Sequence, residues 1–335
     1  MVVRVSINGF GRIGRLVLRS LIEHGRKDIE VVGINDLGSP QANAHLLKYD
    51  SVHGVLAADV QADDESITIN GHRIKVTAER DPAKLPWGQL GVDVAMECTG
   101  LFTKRDKAAA HLDAGAKRVL VSAPADGADK TVVFGVNHHE LEKKHLVVSN
   151  GSCTTNCLAP IAQVMHNLFG IKHGFMTTVH SYTGDQNTVD TLHKDLRRAR
   201  AAALSMIPNT TGAAKAIGLV LPELAGKLDG ASVRVPTPNV SLVDLKLVAE
   251  RATSVNEINA AMKEAAEGRL KGVLGYTELE LVSVDFNHND HSSTFDATQS
   301  KVIDGTFVRV VSWYDNEWGF STRMADVAVL LAGLG

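Results

Sequence analysis

The chain has 335 residues, too many for one compact core, and its 44% hydrophobic and 22% charged residues describe an ordinary globular protein of two domains. Its 35 basic and 38 acidic side chains leave a formal charge of −3 with no polybasic block, which excludes a dedicated nucleic-acid binder. The first apolar run is interrupted by Arg4, no run is long enough to span a bilayer, and three cysteines make no disulfide framework; a cytoplasmic protein without membrane association is expected.

Residues 3–8 are a β-rich run, followed directly by Gly9-Phe-Gly-Arg-Ile-Gly14 and an amphipathic helix with Ile13, Val17, Leu21 and Ile22 on one face. Residues 30–35 read as a second strand ending at Asp36. This is GxGxxG between strand and helix, with an acid 22 positions beyond its last glycine, the pattern of a dinucleotide-binding unit. Gly9 permits the tight turn, Gly11 lets the backbone approach a pyrophosphate, and Gly14 allows close helix–strand packing. Asp36 accepts hydrogen bonds from the adenosine ribose hydroxyls. A glycine-rich turn without a ligand is the plain alternative.

Residues 66–76 read as a hairpin turned at Asn70-Gly71. A strand over 92–97 leads into Thr99, a helix capped by Thr103 ends near Gly115, and residues 118–122 form another strand. Strands alternating with helices predict a mostly parallel sheet with helices on both faces, whose strand ends bring Thr99 and Ser122 towards a cofactor. For both residues, strand-end capping is the plain alternative.

Cys153 opens a helix whose apolar residues Cys157, Ile161, Val164, Met165 and Leu168 run to Gly170. A thiol in a first helical turn sits near unpaired N–H groups and the positive end of the dipole, which favour the thiolate. Two buried core cysteines are the alternative. Beyond it, strands are expected over 174–180, 231–235, 240–248 and 279–286, with a second hairpin over 300–314 turned at Asp304-Gly305. Residues 181–200 form a long polar connection, and residues 319–334 are again amphipathic, with Phe320, Met324, Val327 and Leu331 on one side. This half is expected to be α+β, with an antiparallel or mixed sheet.

Asn8-Gly-Phe-Gly-Arg-Ile-Gly-Arg15, Ser152-Cys-Thr-Thr-Asn-Cys157, His180-Ser-Tyr-Thr-Gly-Asp-Gln186, Leu196-Arg-Arg-Ala-Arg200 and Trp313-Tyr-Asp-Asn-Glu-Trp-Gly319 stand in one order. With them the chain resembles phosphorylating glyceraldehyde-3-phosphate dehydrogenases of the bacterial and organellar type, from Val3 to the final helix. The resemblance implies a Rossmann-type NAD-binding domain over 1–150, a catalytic domain over 151–315, and a helix of about 316–335 packing back on the first. It implies that Cys153 is the nucleophile and His180 its base, the latter also supporting the thiolate while cationic. Ser152, Thr154, Thr183, Arg198, Thr211, Gly212 and Arg234 match the family's phosphate contacts, whereas a solvated basic face is the alternative for one or more arginines of 197–200. Asn316 matches the residue that fixes the nicotinamide amide, and Arg12, Ile13, Arg80 and Ser122 match further cofactor contacts. Inorganic phosphate as co-substrate and a homotetramer are likewise implied; no metal is.

Three departures bear on this. Gly151 stands where alanine is expected, which loosens the turn presenting the thiol. Thr191-Leu192 matches neither the NAD-preferring nor the NADP-using loop pattern, although Asp36 and Leu37 disfavour NADP. No C-terminal extension with paired cysteines follows, which disfavours thioredoxin-type regulation of that design. The sister erythrose-4-phosphate dehydrogenase is the nearest rival, and Tyr182-Thr183 and Thr210-Thr-Gly-Ala-Ala-Lys215 argue against it. A metal- or redox-sensing protein built on Cys153 and Cys157, or on His288-Asn-Asp-His291, is the rival from another class.

Overall fold

The computed structural model describes residues 2–335, and the chain divides into two compact units. One comprises Met1–Phe134, His138–Ser152 and Phe320–Gly335; the other comprises Gly135–Asn137 and Cys153–Gly319.

The first unit is built on a nine-stranded sheet. Its order is Lys130–Thr131, Val147–Ser149, Arg118–Val121, Val94–Glu97, Val3–Asn8, Ile29–Asn35, His72–Thr77, Ser66–Ile69 and Val60–Ala62. The first seven are parallel, and the last two are antiparallel additions, one of them joined through the Asn70-Gly71 turn. Val3–Asn8 is flanked by the strand that follows it and by one 90 residues later in the chain, so the order reverses there. Such a reversal opens a crevice beyond the strands' carboxyl ends, where α/β sheets bind ligands. Near-continuous apolar strands such as Val94–Glu97, buried at all four positions, are what a sheet covered on both faces requires.

The second unit carries a mixed seven-stranded sheet in the order Ile207–Thr210, Leu228–Val235, Ile171–Ser181, Ser241–Ala249, Phe307–Tyr314, Ser293–Ile303 and Leu274–Thr277. Ser241–Ala249 alternates buried and half-buried residues along its length, the period of a strand with one face in a core. Helices Cys153–Phe169, Ala213–Val220 and Val255–Glu267 pack on this sheet.

Two expectations are corrected. The helix after Thr103 is two short pieces, Arg105–Ala108 and Ala110–Asp113, and Lys104 rather than Thr103 is the N-cap. The Arg105 N–H is satisfied by the Asp126 carbonyl, so no hydroxyl cap is needed. Residues 279–286 make no strand: only Phe286 is buried, and the segment ends in the 3₁₀ turn Ser283–Phe286. Thr277 Oγ1 accepts the Leu279 N–H and Asp285 Oδ2 accepts that of Val282, which diverts donors a sheet ladder would use. Strands 207–210 and 274–277, and the first half of Ser293–Ile303, were not anticipated.

Candidate active site

In the first unit, the loop from Gly9 to Gly14 is shaped by contact distances. A Cβ on Gly9 would lie 2.7 Å from the Thr99 nitrogen; one on Gly14 would overlap the Gly9 carbonyl oxygen and come within 2.9 Å of Ile7. Gly11 has open space where its Cβ would stand, so a ligand can reach the backbone that starts helix Arg12–Glu23. A cavity of about 370 Å³ opens here, lined among others by Asn8, Gly9, Gly11, Asp36, Arg80 and Thr99. Asp36 is held across its mouth: Oδ2 accepts the Phe10 N–H at 2.8 Å and Oδ1 that of Gly38 at 2.8 Å. Leu37 beside it is exposed. These residues fit an adenine dinucleotide: a backbone cradle for the pyrophosphate and a fixed carboxylate for ribose hydroxyls.

Beneath that cavity Glu97 is fully buried, accepting from Asn8 Nδ2 at 2.6 Å, His111 Nε2 at 2.9 Å and the Thr99 N–H at 2.8 Å. The Trp87 indole donates to His111 Nδ1 at 2.9 Å, which fixes the ring's tautomer. Arg12 pairs with Asp50, and that pairing holds the Asp50 carboxyl at about 2 against the burial that opposes its charge. Its guanidinium is therefore already engaged, leaving its backbone as the part that faces a ligand at the helix start. Ile13 is half-buried on that same helix, and Ser122, at the end of Arg118–Val121, hydrogen-bonds Cys98 and does not line the cavity.

Gly151 lies at φ +64°, a conformation in which alanine is strained, and its N–H donates to Ser149 Oγ at 3.0 Å. Glycine therefore relieves this turn and the hydrogen bond holds it; the expected loosening is not what the geometry shows. Ser152 follows within the same unit.

In the second unit, Cys153 is the first residue of helix Cys153–Phe169, and its Sγ lies 3.5 Å from His180 Nε2. His180 is next to last in strand Ile171–Ser181 and pairs in register with Arg234 on the parallel strand Leu228–Val235. His180 Nδ1 is 2.7 Å from the Ser181 carbonyl, and Arg234 Nη1 donates to the same oxygen at 2.9 Å while standing 2.8 Å from Nδ1. Placing the imidazole hydrogen on Nδ1 satisfies the carbonyl and leaves Nε2 a bare acceptor towards the thiol.

The electrostatics act against the expected ion pair. Burial, seconded by the Arg234 charge, pulls His180 down to about 3, so it is neutral at physiological pH. Burial also pushes the Cys153 thiol above its ordinary value, more than the Arg234 charge and the Thr154 hydroxyl and N–H pull it down. Both shifts favour the uncharged thiol and imidazole, and Arg234 is the positive charge that acts on each. Cys98 and Cys157 are driven higher still, each to about 12, burial being the main cause. Cys157 lies between Ser293 and Ser312, and among the described residues no three His, Cys, Asp or Glu side chains converge as a metal site.

Thr183, Arg198 and Arg234 are drawn together. Arg234 Nη1 donates to Thr183 Oγ1 at 3.2 Å, and Asp185 accepts from both Thr183 Oγ1 and Arg198 Nη1, the latter at 2.7 Å. Although burial opposes its charge, those donors hold the Asp185 carboxyl below the usual range. Three buried donors in this network lack an acceptor: Arg234 Nε, Asn209 Nδ2 and Gln186 Nε2. Such a surplus of N–H suits an anion. Thr211 Oγ1 accepts the Ala213 N–H at 3.2 Å, and Gly212 begins helix Ala213–Val220 without a side-chain cap; no hydrogen bond ties either to the arginine network. Thr154 departs from its expected role, because its hydroxyl is buried against the Tyr314 hydroxyl at 2.8 Å. Only its backbone remains for an anion.

Several members of this site escape a reading of the sequence. Tyr314, whose ring meets that of His180 edge-on at 5.9 Å, bridges Thr154 and Thr178. Asn209, Asp185 and Gln186 hold the arginine network. Asp185, Gln186 and Tyr314 sit inside the motifs noted above, whereas nothing local to Asn209 marks it.

Comparison with known proteins covers the whole chain. Residues 3–105 match the family described as glyceraldehyde 3-phosphate dehydrogenase, NAD binding domain, and residues 152–316 match its C-terminal domain. The chain is 67% identical to the glyceraldehyde-3-phosphate dehydrogenase of Xanthobacter flavus, 66% to that of Cereibacter sphaeroides and 59% to that of Geobacillus stearothermophilus, in each case over all of both chains.

Proposed function

Given that the chain belongs to the glyceraldehyde-3-phosphate dehydrogenase family, we propose that Cys153 and His180 carry the chemistry, that Arg198, Arg234 and Thr183 bind phosphate groups, and that inorganic phosphate is the second substrate. The enzyme is an NAD-dependent dehydrogenase of glyceraldehyde 3-phosphate. The observation that carries the assignment of roles is the 3.5 Å approach of Cys153 Sγ to the bare Nε2 of His180.

An aldehyde does not release hydride readily, but its hemithioacetal does once the hydroxyl proton leaves. Cys153 Sγ bonds to the aldehyde carbon as its proton passes to His180 Nε2. The carbonyl oxygen then bears the charge, stabilised as it forms by the Cys153 N–H and the His180 ring, and takes that same proton back from His180 Nε2. With the proton released, His180 is again a base for the hemithioacetal hydroxyl. NAD held by the Gly9–Gly14 loop, Asp36 and Asn316 would supply the hydride acceptor, and loss of hydride from that carbon would leave a thioester on Cys153. A phosphate oxygen attacks the thioester carbon, the C–S bond breaks, and Cys153 departs as thiolate, releasing 1,3-bisphosphoglycerate. The unsatisfied N–H groups around Arg234 and Arg198 support an anion there, and Ser152, Thr211, Gly212 and the Thr154 backbone complete the proposed contacts. Gly9, Gly11, Arg12, Ile13, Gly14, Asp36, Arg80, Thr99, Ser122 and Asn316 are the proposed cofactor contacts.

A homotetramer is supported by the apolar residues Leu192, Leu196, Leu204 and Met206, each more than three-quarters exposed in the single chain. A cytoplasmic location fits a functional thiol, and none of the described helices is long and apolar enough to cross a membrane. The deciding assay compares glyceraldehyde 3-phosphate with erythrose 4-phosphate, with and without phosphate and with NAD and NADP in turn, on unmutated and Cys153→Ser enzyme. Phosphate-dependent NADH formation lost in Cys153→Ser is expected; turnover retained in that variant removes the thioester route. Sedimentation of the purified enzyme tests the tetramer.

A further inference from the structure

Three strand ends of the second unit meet behind Asn316. Ser181 closes Ile171–Ser181, Ser241 opens Ser241–Ala249, and Asn316 follows Phe307–Tyr314 by two residues. All three are buried. Asn316 Oδ1 lies 2.9 Å from Ser181 Oγ and 2.9 Å from Ser241 Oγ. Ser241 Oγ also accepts the Ser181 N–H at 3.1 Å.

These contacts settle which way the amide points. Ser241 Oγ already receives one hydrogen from the Ser181 backbone, so its own hydrogen needs an acceptor. With Oδ1 inward, Asn316 takes that hydrogen and the one on Ser181 Oγ, and both hydroxyls are satisfied. With the amide flipped, Nδ2 would donate to both hydroxyls and neither of their hydrogens would reach Asn316. The inward Oδ1 leaves Nδ2 as the free pole: no described residue accepts its hydrogens, and it is not among the buried unpartnered atoms. A group that meets Asn316 must therefore be an acceptor.

We propose that Ser181 and Ser241 are positioning residues that lock the Asn316 amide as a donor, so that the enzyme grips the carbonyl oxygen, not the NH₂, of the nicotinamide carboxamide. The proposal rests on the reading of Asn316 as a nicotinamide contact. By choosing the carboxamide atom, the two hydroxyls choose how the ring is turned, and hence which of its faces meets the hydride donor. Ser181 also carries the carbonyl that faces His180 Nδ1 at 2.7 Å, so one residue contacts both the base and the amide proposed to meet the ring.

The test measures binding by calorimetry in a Cys153→Ser background, where no turnover interferes. Ligands are NAD and ADP-ribose, which keeps the adenine half but has no nicotinamide. Ser181→Ala/Ser241→Ala should weaken NAD about 5- to 30-fold, the loss of two modest hydrogen bonds, and leave ADP-ribose within about twofold. In the Cys153-containing enzyme, hydride transfer to nicotinamide deuterated at C4 should lose strict facial selectivity in the same double variant. Ser241→Ala alone should show part of the NAD effect with only a small fall in melting temperature, because the buried Ser181 N–H loses its acceptor. An NAD affinity unchanged in the double variant, while Asn316→Ala weakens it, overturns the positioning role. Equal weakening of NAD and ADP-ribose overturns it too, because the effect would then be general. Unchanged NAD binding by Asn316→Ala instead removes the nicotinamide assignment itself.

Discussion

Arg234 Nη1 lies 2.8 Å from His180 Nδ1, and the sheet imposes this contact because the two residues are register partners on adjacent parallel strands. Second to burial, that cation is what keeps the imidazole neutral. An anion held at the proposed phosphate site on Arg234 would screen the cation and strengthen His180 as a base. Arg234→Gln should therefore raise the His180 pKa by about one unit or more, the scale of removing a close like charge. Imidazole ¹⁵N shifts followed across pH give the value, and inorganic phosphate should move unmutated enzyme in the same direction. A His180 titration indifferent to both would place its neutrality on burial alone.

Thiol reactivity separates Arg234 from His180. Because His180 rests neutral, His180→Asn should lower turnover by roughly two to four orders of magnitude, yet slow iodoacetamide alkylation of Cys153 by less than about tenfold. Arg234→Gln removes the larger pull on the thiolate and should slow alkylation more than His180→Asn does. Mass-spectrometric labelling at pH 8 reads the rates; the reverse order restores an imidazolium–thiolate pair.

Acid stability follows from the same histidine. Its folded value, about 3, lies below the ordinary 6.5, so between those pH values the unfolded chain binds the extra proton and stability falls as pH falls. Above 6.5 both states are neutral and the contribution is flat. His180→Asn cannot lose stability this way, so its melting temperature should decline less than that of unmutated enzyme between pH 7 and 5. Parallel melting curves over that range would show that His180 is protonated in the native state without penalty.

Cofactor choice is placed on Asp36. Its carboxylate, fixed by the Phe10 and Gly38 N–H groups, should repel a 2′-phosphate, and Leu37 offers that phosphate nothing. In a site open to water this is worth about 1–3 kcal/mol, or one to two orders of magnitude in specificity constant for NAD over NADP. Asp36→Gly should relax the preference mainly by improving NADP use, with a smaller loss for NAD. Asp36→Asn, which keeps an acceptor for one of those N–H groups, separates charge from loop order. Equal kcat/KM for both cofactors in the unmutated enzyme would move the determinant to Thr191-Leu192.

The dinucleotide crevice was legible because its determinants are local: six residues from Gly9 to Gly14, a strand before, a helix after, and Asp36 at the next strand's end. The thiol helix was legible for the same reason. Residues 279–286 misled because their apolar residues alternate like a strand's, while Thr277 and Asp285 side chains take the backbone hydrogens locally. The resting charge of Cys153 and His180 was not legible at all. It depends on burial and on Arg234, 54 residues from His180 and adjacent only through strand register. The Ser181–Ser241–Asn316 arrangement is of the same kind, three polar residues that mean nothing singly until three strand ends converge.

Helix Trp318–Gly333 has a consequence for how this chain is made. Phe320–Gly335 belongs to the unit whose preceding part ends at Ser152, with Phe320, Met324, Val327 and Leu331 buried and Arg26 paired to Asp326 at 2.8 Å. About 170 residues separate the two pieces, which the ribosome needs roughly 8–35 s to add at ordinary elongation rates. Through that interval the nascent sheet lacks its last helix and must wait with apolar surface uncovered, while the second unit can close before it. Slow codons placed late in the message would lengthen that exposure, and a release-arrested chain should be cut by protease in the first-made unit before the second.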